Sequence, residues 1–273
     1  MNLVFVTSFG TDYYDKVASH TLPYMVKATE KHQLMVFYEN SIKLEPLINP
    51  PHVSYFNLYH WSNPLMKFLS ETKDNELYKG MVYEERHADI WNEKQREAGY
   101  NYRLNAFLFC RKWFSLQIAY EQLKQRYEHF VLCWLDADLL FYDYPHNAED
   151  KLINEFFNDG QCVAFLDRDF MHSECGLMFF KRDDISEQVI NDVCEMYSSH
   201  KVFELSEWHD CFVFDTIRKN YDPAYFSAMA LGHYGEDVFS KSFFHEYCDH
   251  LKGCRKRDIE EIIENARNQR PPE

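Results

Sequence analysis

The sequence predicts an α/β fold built on a mostly parallel sheet with helices packed against it. Three observations carry that expectation. The first 38 residues read strand, helix, strand. A long amphipathic helix over 103–125 leads into six consecutive apolar residues, and an acid pair follows those six at once.

Leu3-Val4-Phe5-Val6 is an unbroken apolar run closed by Thr7-Ser8-Phe9-Gly10, the pattern of a strand buried on both faces that ends in a loop. A helix over 15–30 is expected next, and Gln33–Tyr38 is a second apolar run, so the opening forms a parallel crossover unit. From Asn40 to Pro64 the prolines at 46, 50, 51 and 64 forbid a long helix and leave a loop with short extended pieces. Residues 74–100 are polar and charged, which suits a surface insertion. Arg103–Gln125 has apolar residues at helical spacing and no Gly or Pro, so one long helix is expected there. Phe130–Leu135 then reads as the central strand. Asp150–Asn158 suits a short helix, Cys162–Leu166 and Leu177–Phe180 further strands, and Asp183–Ser199 and Glu207–Lys219 two more helices. Beyond Asp258 a charged amphipathic turn or two, frayed at Arg270-Pro271-Pro272, is expected. The expected organisation is one domain over 1–257 and a charged tail over 258–273.

Composition narrows the function. Lys and Arg number 29 against 44 Asp and Glu, a formal charge of −15. That balance repels phosphate chains, so no nucleic acid partner is expected. Aromatic residues make up 17%, enough to line a pocket or stack on a planar or sugar ring. The longest apolar run, Phe130–Leu135, is far short of a membrane span, and Asn2–Phe9 lacks the charged start of a signal peptide. The eight cysteines form no CxxC pair and no Asn-x-Ser/Thr acceptor occurs, which favours reduced thiols and a cytoplasmic protein.

Two segments carry chemistry. Asp136-Ala137-Asp138 lies directly after the central strand, where open sheets place their ligands. Two acids at i, i+2 in extended chain point the same way and make a hard oxygen site for Mn²⁺ or Mg²⁺; the alternative is that they cap a turn. His250-Leu251-Lys252-Gly253-Cys254-Arg255-Lys256-Arg257 concentrates four cations in six positions of an acidic chain. It offers a phosphate cradle with a metal-ligating imidazole, or else a helix end answering its dipole. Lesser clusters are Asp167-Arg168-Asp169, after a strand, and Glu207-Trp208-His209-Asp210, opening a helix. Each reads either as a reacting-site acid or as a local ion pair or cap. His233 is a fallback third ligand.

These segments and the N-terminus resemble glycosyltransferases of the GT-A fold, specifically family 8, the glycogenin and bacterial lipopolysaccharide galactosyltransferase group. LVFVTSFGTDYY, residues 3–14, is similar to that family's opening strand and nucleotide loop, and VLCWLDADLLF, residues 131–141, to its acid motif. His250-x-x-Gly253-x-x-Lys256 matches its C-terminal His-x-x-Gly-x-x-Lys. Lys112 sits where the family has a basic residue facing the donor. Ser173–Met178 and Trp208-His209-Asp210 resemble its donor-sugar segments. The resemblance implies a mixed, mostly parallel sheet and a metal on Asp136, Asp138 and His250. It implies a UDP-sugar donor held by Thr7, Asp12, Tyr13, Tyr14, Lys112, Gly176, Lys252, Gly253 and Lys256. It implies transfer to a carbohydrate or other hydroxyl acceptor with retained configuration, Asp210 and Asp167 being the candidate reacting-site acids. The chain departs from the family at Glu174, where the family has Asn, at Cys211, and at Arg257-Asp258.

Three rivals have discriminating features. Haloacid dehalogenase phosphatases carry Asp-x-Asp on their first strand, whereas here about half the chain precedes it. A sugar nucleotidyltransferase would carry a Gly-rich basic loop after the first strand, and Thr7–Tyr14 has one Gly and no cation. A nucleotide-sugar-binding protein without turnover would fail to hydrolyse its ligand in a metal-dependent way.

Overall fold

The computed structural model describes residues 1–39, 50–82, 99–143, 148–158 and 160–269. The opening unit forms as expected: β1 (Asn2–Phe9), a helical passage ending in α1 (Ser19–Ala28), and β2 (Gln33–Tyr38), parallel to β1. The helical passage begins earlier than residue 15, at Thr11, and winds wider over Tyr14–Ala18. Of the proline-rich stretch, 40–49 lies outside the described residues. In the remainder one of the expected short extended pieces, Val53–Asn57, forms a parallel strand β3 on β2, and Pro64 opens α2 (Asn63–Thr72). Proline bars helix interiors but suits a first turn.

Most of the expected insertion, 83–98, lies outside the described residues. Its flanks pair as a small antiparallel ribbon of β4 (Lys79–Met81) and β5 (Tyr100–Asn105). The long helix, α3 (Ala106–Arg126), therefore starts three residues later than the apolar spacing suggests, because the Asn105 side chain accepts a hydrogen bond from Leu108 N and caps it. β6 (Phe130–Leu135), buried at every position, follows as expected.

Seven strands form the main sheet in the order β10, β8, β9, β6, β1, β2, β3. Here β8 is Val163–Arg168, β9 is Glu174–Lys181 and β10 is Phe226–Gly232. Only β9 runs against its neighbours, so the sheet is mixed and mostly parallel. α3, α4 (Asp184–Ser198) and α5 (Asp210–Arg218) pack with α2 in one apolar cluster, and the other sheet face closes on α1 and on Val238, Phe239 and Phe244. From β1 the chain moves outward to β2 and β3 and then returns to β6 on β1's other side. The carboxyl ends of β1 and β6 thus flank the point where strand order reverses, the crevice in which such sheets bind ligands.

A second ribbon completes that crevice. β7 (Leu139–Phe141) follows the acid pair and pairs antiparallel with β11 (Cys248–His250), setting His250 opposite Leu139. The tail is not a frayed turn or two. Over Ile259–Gln269 it forms α6, whose Ile259 and Ile263 bury against Val17, Leu140 and Leu251, and residues 270–273 lie outside the described part. Cys110, Cys133, Cys162, Cys175, Cys194, Cys211 and Cys248 are free thiols. No described helix is long and apolar enough to cross a membrane.

Candidate active site

The acid pair does not continue the strand. β6 ends at Leu135 and the chain turns, Leu139 N donating to Asp136 O at 3.1 Å, so the carboxylates converge through a turn rather than by extended alternation. Asp136 stays tied to β9, its N–H donating to Gly176 O at 2.9 Å. The β7–β11 ribbon then delivers the imidazole. His250 Nε2 stands 3.2 Å from Asp138 Oδ1 and 3.9 Å from Asp136 Oδ2, and the ligand atoms of the three residues all lie within 4.8 Å of one another.

The trio fits a divalent cation. Asp138 and His250 are buried, yet Asp138 Oδ1 has only its ion-pair contact with His250 and His250 Nδ1 has no hydrogen-bond partner, a state that leaves polar capacity unused. Two carboxylate oxygens and one imidazole suit Mn²⁺ or Mg²⁺ by their hardness. Gly176 explains how they approach so closely. A Cβ built there would stand 2.5 Å from His250 Cε1 and 3.2 Å from Asp136 Oδ2, so only glycine leaves room.

Cations surround the trio. Lys256 Nζ lies 2.6 Å from Asp138 Oδ2 and donates to the Tyr13 hydroxyl at 2.8 Å, tying the C-terminal segment to the loop after β1. Burial alone would raise Asp138, but His250 and Lys256 outweigh it and hold that carboxyl far below the usual range. Burial keeps Asp136 above its usual value despite Lys112, 3.0 Å away. Burial also raises the Tyr13 phenol, with Asp138 and Asp136 adding to it, so it stays a neutral donor. Lys112, itself buried, bridges Asp136 to Asp210 and donates to Cys175 O at 2.8 Å. Burial opposes its charge, and Asp136 and Asp210 restore it.

Lys252 bonds Glu174 Oε2 at 2.6 Å and lies 3.5 Å from Asp237, while Glu174 Oε1 accepts from Gly176 N at 3.1 Å. Glu174 would be raised by burial, yet Lys252, His250 and Arg168 bring it down to about 2. The carboxylates of Asp136, Asp138, Asp210 and Glu174 thus face the cations Lys112, Lys252, Lys256 and Arg168, which nearly balance them. A dication and a diphosphate carry about equal and opposite charge, so they can enter together without upsetting that balance.

The remaining sequence candidates divide. Gly253 adopts φ +58°, a left-handed turn that favours glycine between the two lysines. Thr7 is fully buried on β1 with an unpartnered hydroxyl. Asp12 is exposed beside Tyr13, and Tyr14 packs on Phe9 with ring centroids 5.3 Å apart. Asp210 is brought to the centre through Lys112. Asp167 is not: Arg218 NH2 holds it at 3.2 Å, in a cluster with Asp215 and Ser173. His233 pairs with Asp169 at 2.5 Å instead of joining the trio. Sequence reading missed Trp134, whose indole N–H donates to Asp136 Oδ1 at 2.6 Å; its position two residues before the acid was the available signal.

No protein-family model and no curated protein matches the sequence. Among solved structures the chain is similar to mouse xyloside xylosyltransferase 1 in its apo form, at 9% identity over 84% of this chain and 86% of that one, TM-score 0.47. It is similar to a glycosyltransferase involved in glycosylation of the major capsid of PBCV-1, at 11% identity over 97% and 100%, TM-score 0.47. It is also similar to the galactosyltransferase LgtC in complex with donor and acceptor sugar analogues, at 9% identity over 99% and 98%, TM-score 0.47. Likeness at this level carries no function by itself.

Proposed function

We propose that this chain is a metal-dependent glycosyltransferase that takes a nucleoside diphosphate sugar, with UDP as its nucleotide, and passes the sugar to a hydroxyl acceptor such as a carbohydrate. One observation carries the reading: Asp136 and Asp138 from the sheet's switch point meet His250 from the far end of the sequence, with Lys252 and Lys256 beside them.

Mn²⁺ or Mg²⁺ on Asp136, Asp138 and His250 would supply positive charge against the departing diphosphate. The chain's own groups do the rest. Lys256 and Lys252 carry cations to where negative charge grows in the transition state, each releasing a carboxylate, Asp138 or Glu174, for a phosphate oxygen. The Tyr13 hydroxyl steadies Lys256. Exposed Asp12 is free in position to accept the uracil imide N–H, with the neighbouring tyrosine rings to flank the base.

Asp210 serves as the fixed negative charge facing the sugar cation as it develops, held in position by Lys112. Burial would raise its carboxyl, but Lys112 and His209 hold it well below the usual range, so it is ill suited to accept a proton. With Asp210 so held and no other free base placed there among the described residues, the acceptor attacks from the leaving-group side and configuration is retained. A thermal-shift panel of nucleotide sugars with and without Mn²⁺ tests the donor, since a specific ligand raises stability by mass action. The expected result is a shift with UDP-sugars that requires Mn²⁺. A shift with GDP-sugars alone sinks the uracil assignment, and no metal-dependent shift with any donor sinks the reading.

A further inference from the structure

Next to the acid trio, on the far side of the Lys112–Asp210 ion pair, stands a second group of ligand-type side chains, to which the proposed transfer gives no metal. Glu207 and His209 lie two apart in the segment that leads into α5, and their side chains meet beside it. His172 reaches them from the loop between β8 and β9. Its Nε2 is 3.5 Å from Glu207 Oε2, and His209 Nε2 is 2.8 Å from the same oxygen. The three ligand atoms lie within 4.8 Å of one another.

We propose that His172, Glu207 and His209 form a second metal centre, one that takes a borderline transition ion, foremost Zn²⁺. Two imidazoles and one carboxylate make a three-ligand set with an open fourth position, which Zn²⁺ accepts and which Mg²⁺ and Mn²⁺, preferring oxygen, do not favour.

The surroundings hold the set in place. Arg103 NH1 donates to Glu207 Oε1 at 3.1 Å and so turns Oε2 toward the two imidazoles. Asp210 Oδ1 lies 3.9 Å from His209 Nδ1, an ion-pair contact on the ring's other side that favours neither nitrogen by a hydrogen bond. Trp208, between the two ligands, is pinned by its N–H to Arg103 O at 2.7 Å and by its carbonyl to the Tyr197 hydroxyl at 2.9 Å. The loop carrying His172 is pinned by Arg168, which donates to the carbonyls of His172 and Ser173. Phe212 stands edge-on to His172 at 4.8 Å, and Phe109 and Tyr102 flank His209 at 5.9 Å each. These rings lower the local dielectric, which strengthens the hold on an ion.

The same geometry would serve a proton shared by His209 between Glu207 and Asp210, and the experiment separates the two. The full chain carrying Asp138→Asn, which disables the acid trio, is stripped with chelator and titrated with Co²⁺, whose visible d–d bands report imidazole ligation, then with Zn²⁺ by calorimetry. The parent chain is titrated in parallel under saturating Mg²⁺. One equivalent of Co²⁺ is expected in both, displaced by Zn²⁺. Adding His172→Ala or Glu207→Gln should weaken binding at least tenfold. His172 is partly exposed in its loop and Glu207→Gln keeps the shape, so folding, checked by circular dichroism, is expected to survive. Absence of d–d bands and of Zn²⁺ heat in the Asp138→Asn chain would overturn the proposal and leave a shared proton. Unchanged binding after His172→Ala and Glu207→Gln would overturn it as well. Neither result touches the donor reading, which is measured by UDP-sugar binding to the parent.

Discussion

Gly176→Ala tests the centre of the site through a single methyl group. The added Cβ would stand 2.5 Å from His250 Cε1, 3.1 Å from Glu174 Oε1 and 3.2 Å from Asp136 Oδ2. To regain ordinary contact the imidazole must retreat by about 1 Å. His250 cannot do so freely, because β11 pairs with β7 at that residue and Phe239 packs edge-on to the ring at 5.5 Å. Overpacking of this kind costs about 1–3 kcal/mol, which lowers the melting temperature by roughly 2–10 °C in a chain of this size. The displaced ligand should also weaken Mn²⁺ binding by about 10–100-fold. Calorimetric titration of Mn²⁺ into folded protein reads the second effect apart from the first. Gly235→Ala is the control: Gly235 has φ +83° with nothing within 4 Å of a built Cβ, so it should cost about 1 kcal/mol of backbone strain and leave Mn²⁺ affinity unchanged. Parental Mn²⁺ affinity in folded Gly176→Ala would refute the placement of His250 against the acid pair.

Lys112→Met removes the cation shared by Asp136 and Asp210; a loss of about 3–5 kcal/mol is expected in urea unfolding, part of it recovered when Asp210→Asn is added. Asp138→Asn should abolish Mn²⁺-dependent UDP binding in calorimetry while circular dichroism stays parental, and parental binding would exclude Asp138 as a ligand. Glu174 has its folded pKa lowered from 4.5 to about 2, so its contribution is present above pH 4.5 and lost as pH falls toward 2; acid unfolding of Glu174→Gln should lack that part of the decline. Proton NMR of the first-formed product from an α-linked donor should give an α-linked sugar, and a β-linked product would hand the role of base to Asp210 or Asp167.

The parts of the site that were legible in the sequence are those whose chemistry is local. Phe130–Leu135 is apolar at every position and buried at every position, and an acid pair at its end is placed by chain continuity alone. The shape of that pair was not legible, because extended alternation was expected where Leu139 N closes a turn on Asp136. The tail misled for a different reason: Ile259 and Ile263 are few among charges, and only the presence of Val17, Leu140 and Leu251 gives them a surface to bury against. β10 escaped notice, and β3 was expected only as a short extended piece, because Val53–Asn57 and Phe226–Gly232 are half-buried edge strands, where a continuous apolar run is not required. Glu174, a departure from the family pattern, became intelligible only once Lys252, Arg168 and Gly176 N were found around it. Pairing between distant segments is what a linear pattern cannot record.

The link between Lys256 and Tyr13 joins positions 243 apart, and it gives the site an order of assembly. During synthesis the chain emerges N-terminus first, so β1, β6, β8 and β9 can pair while the ribbon partner of β7 is still missing. Asp136 and Asp138 are then two carboxylates without an imidazole, and the loop after β1 has no lysine to anchor it. A nascent chain, or one clipped by a protease just before Cys248, would keep the strands of its main sheet and still have no means to grip a diphosphate. On the proposed function, competence to split an activated sugar is thereby withheld until the rest of the molecule is in place, so that a half-made copy cannot consume the donor.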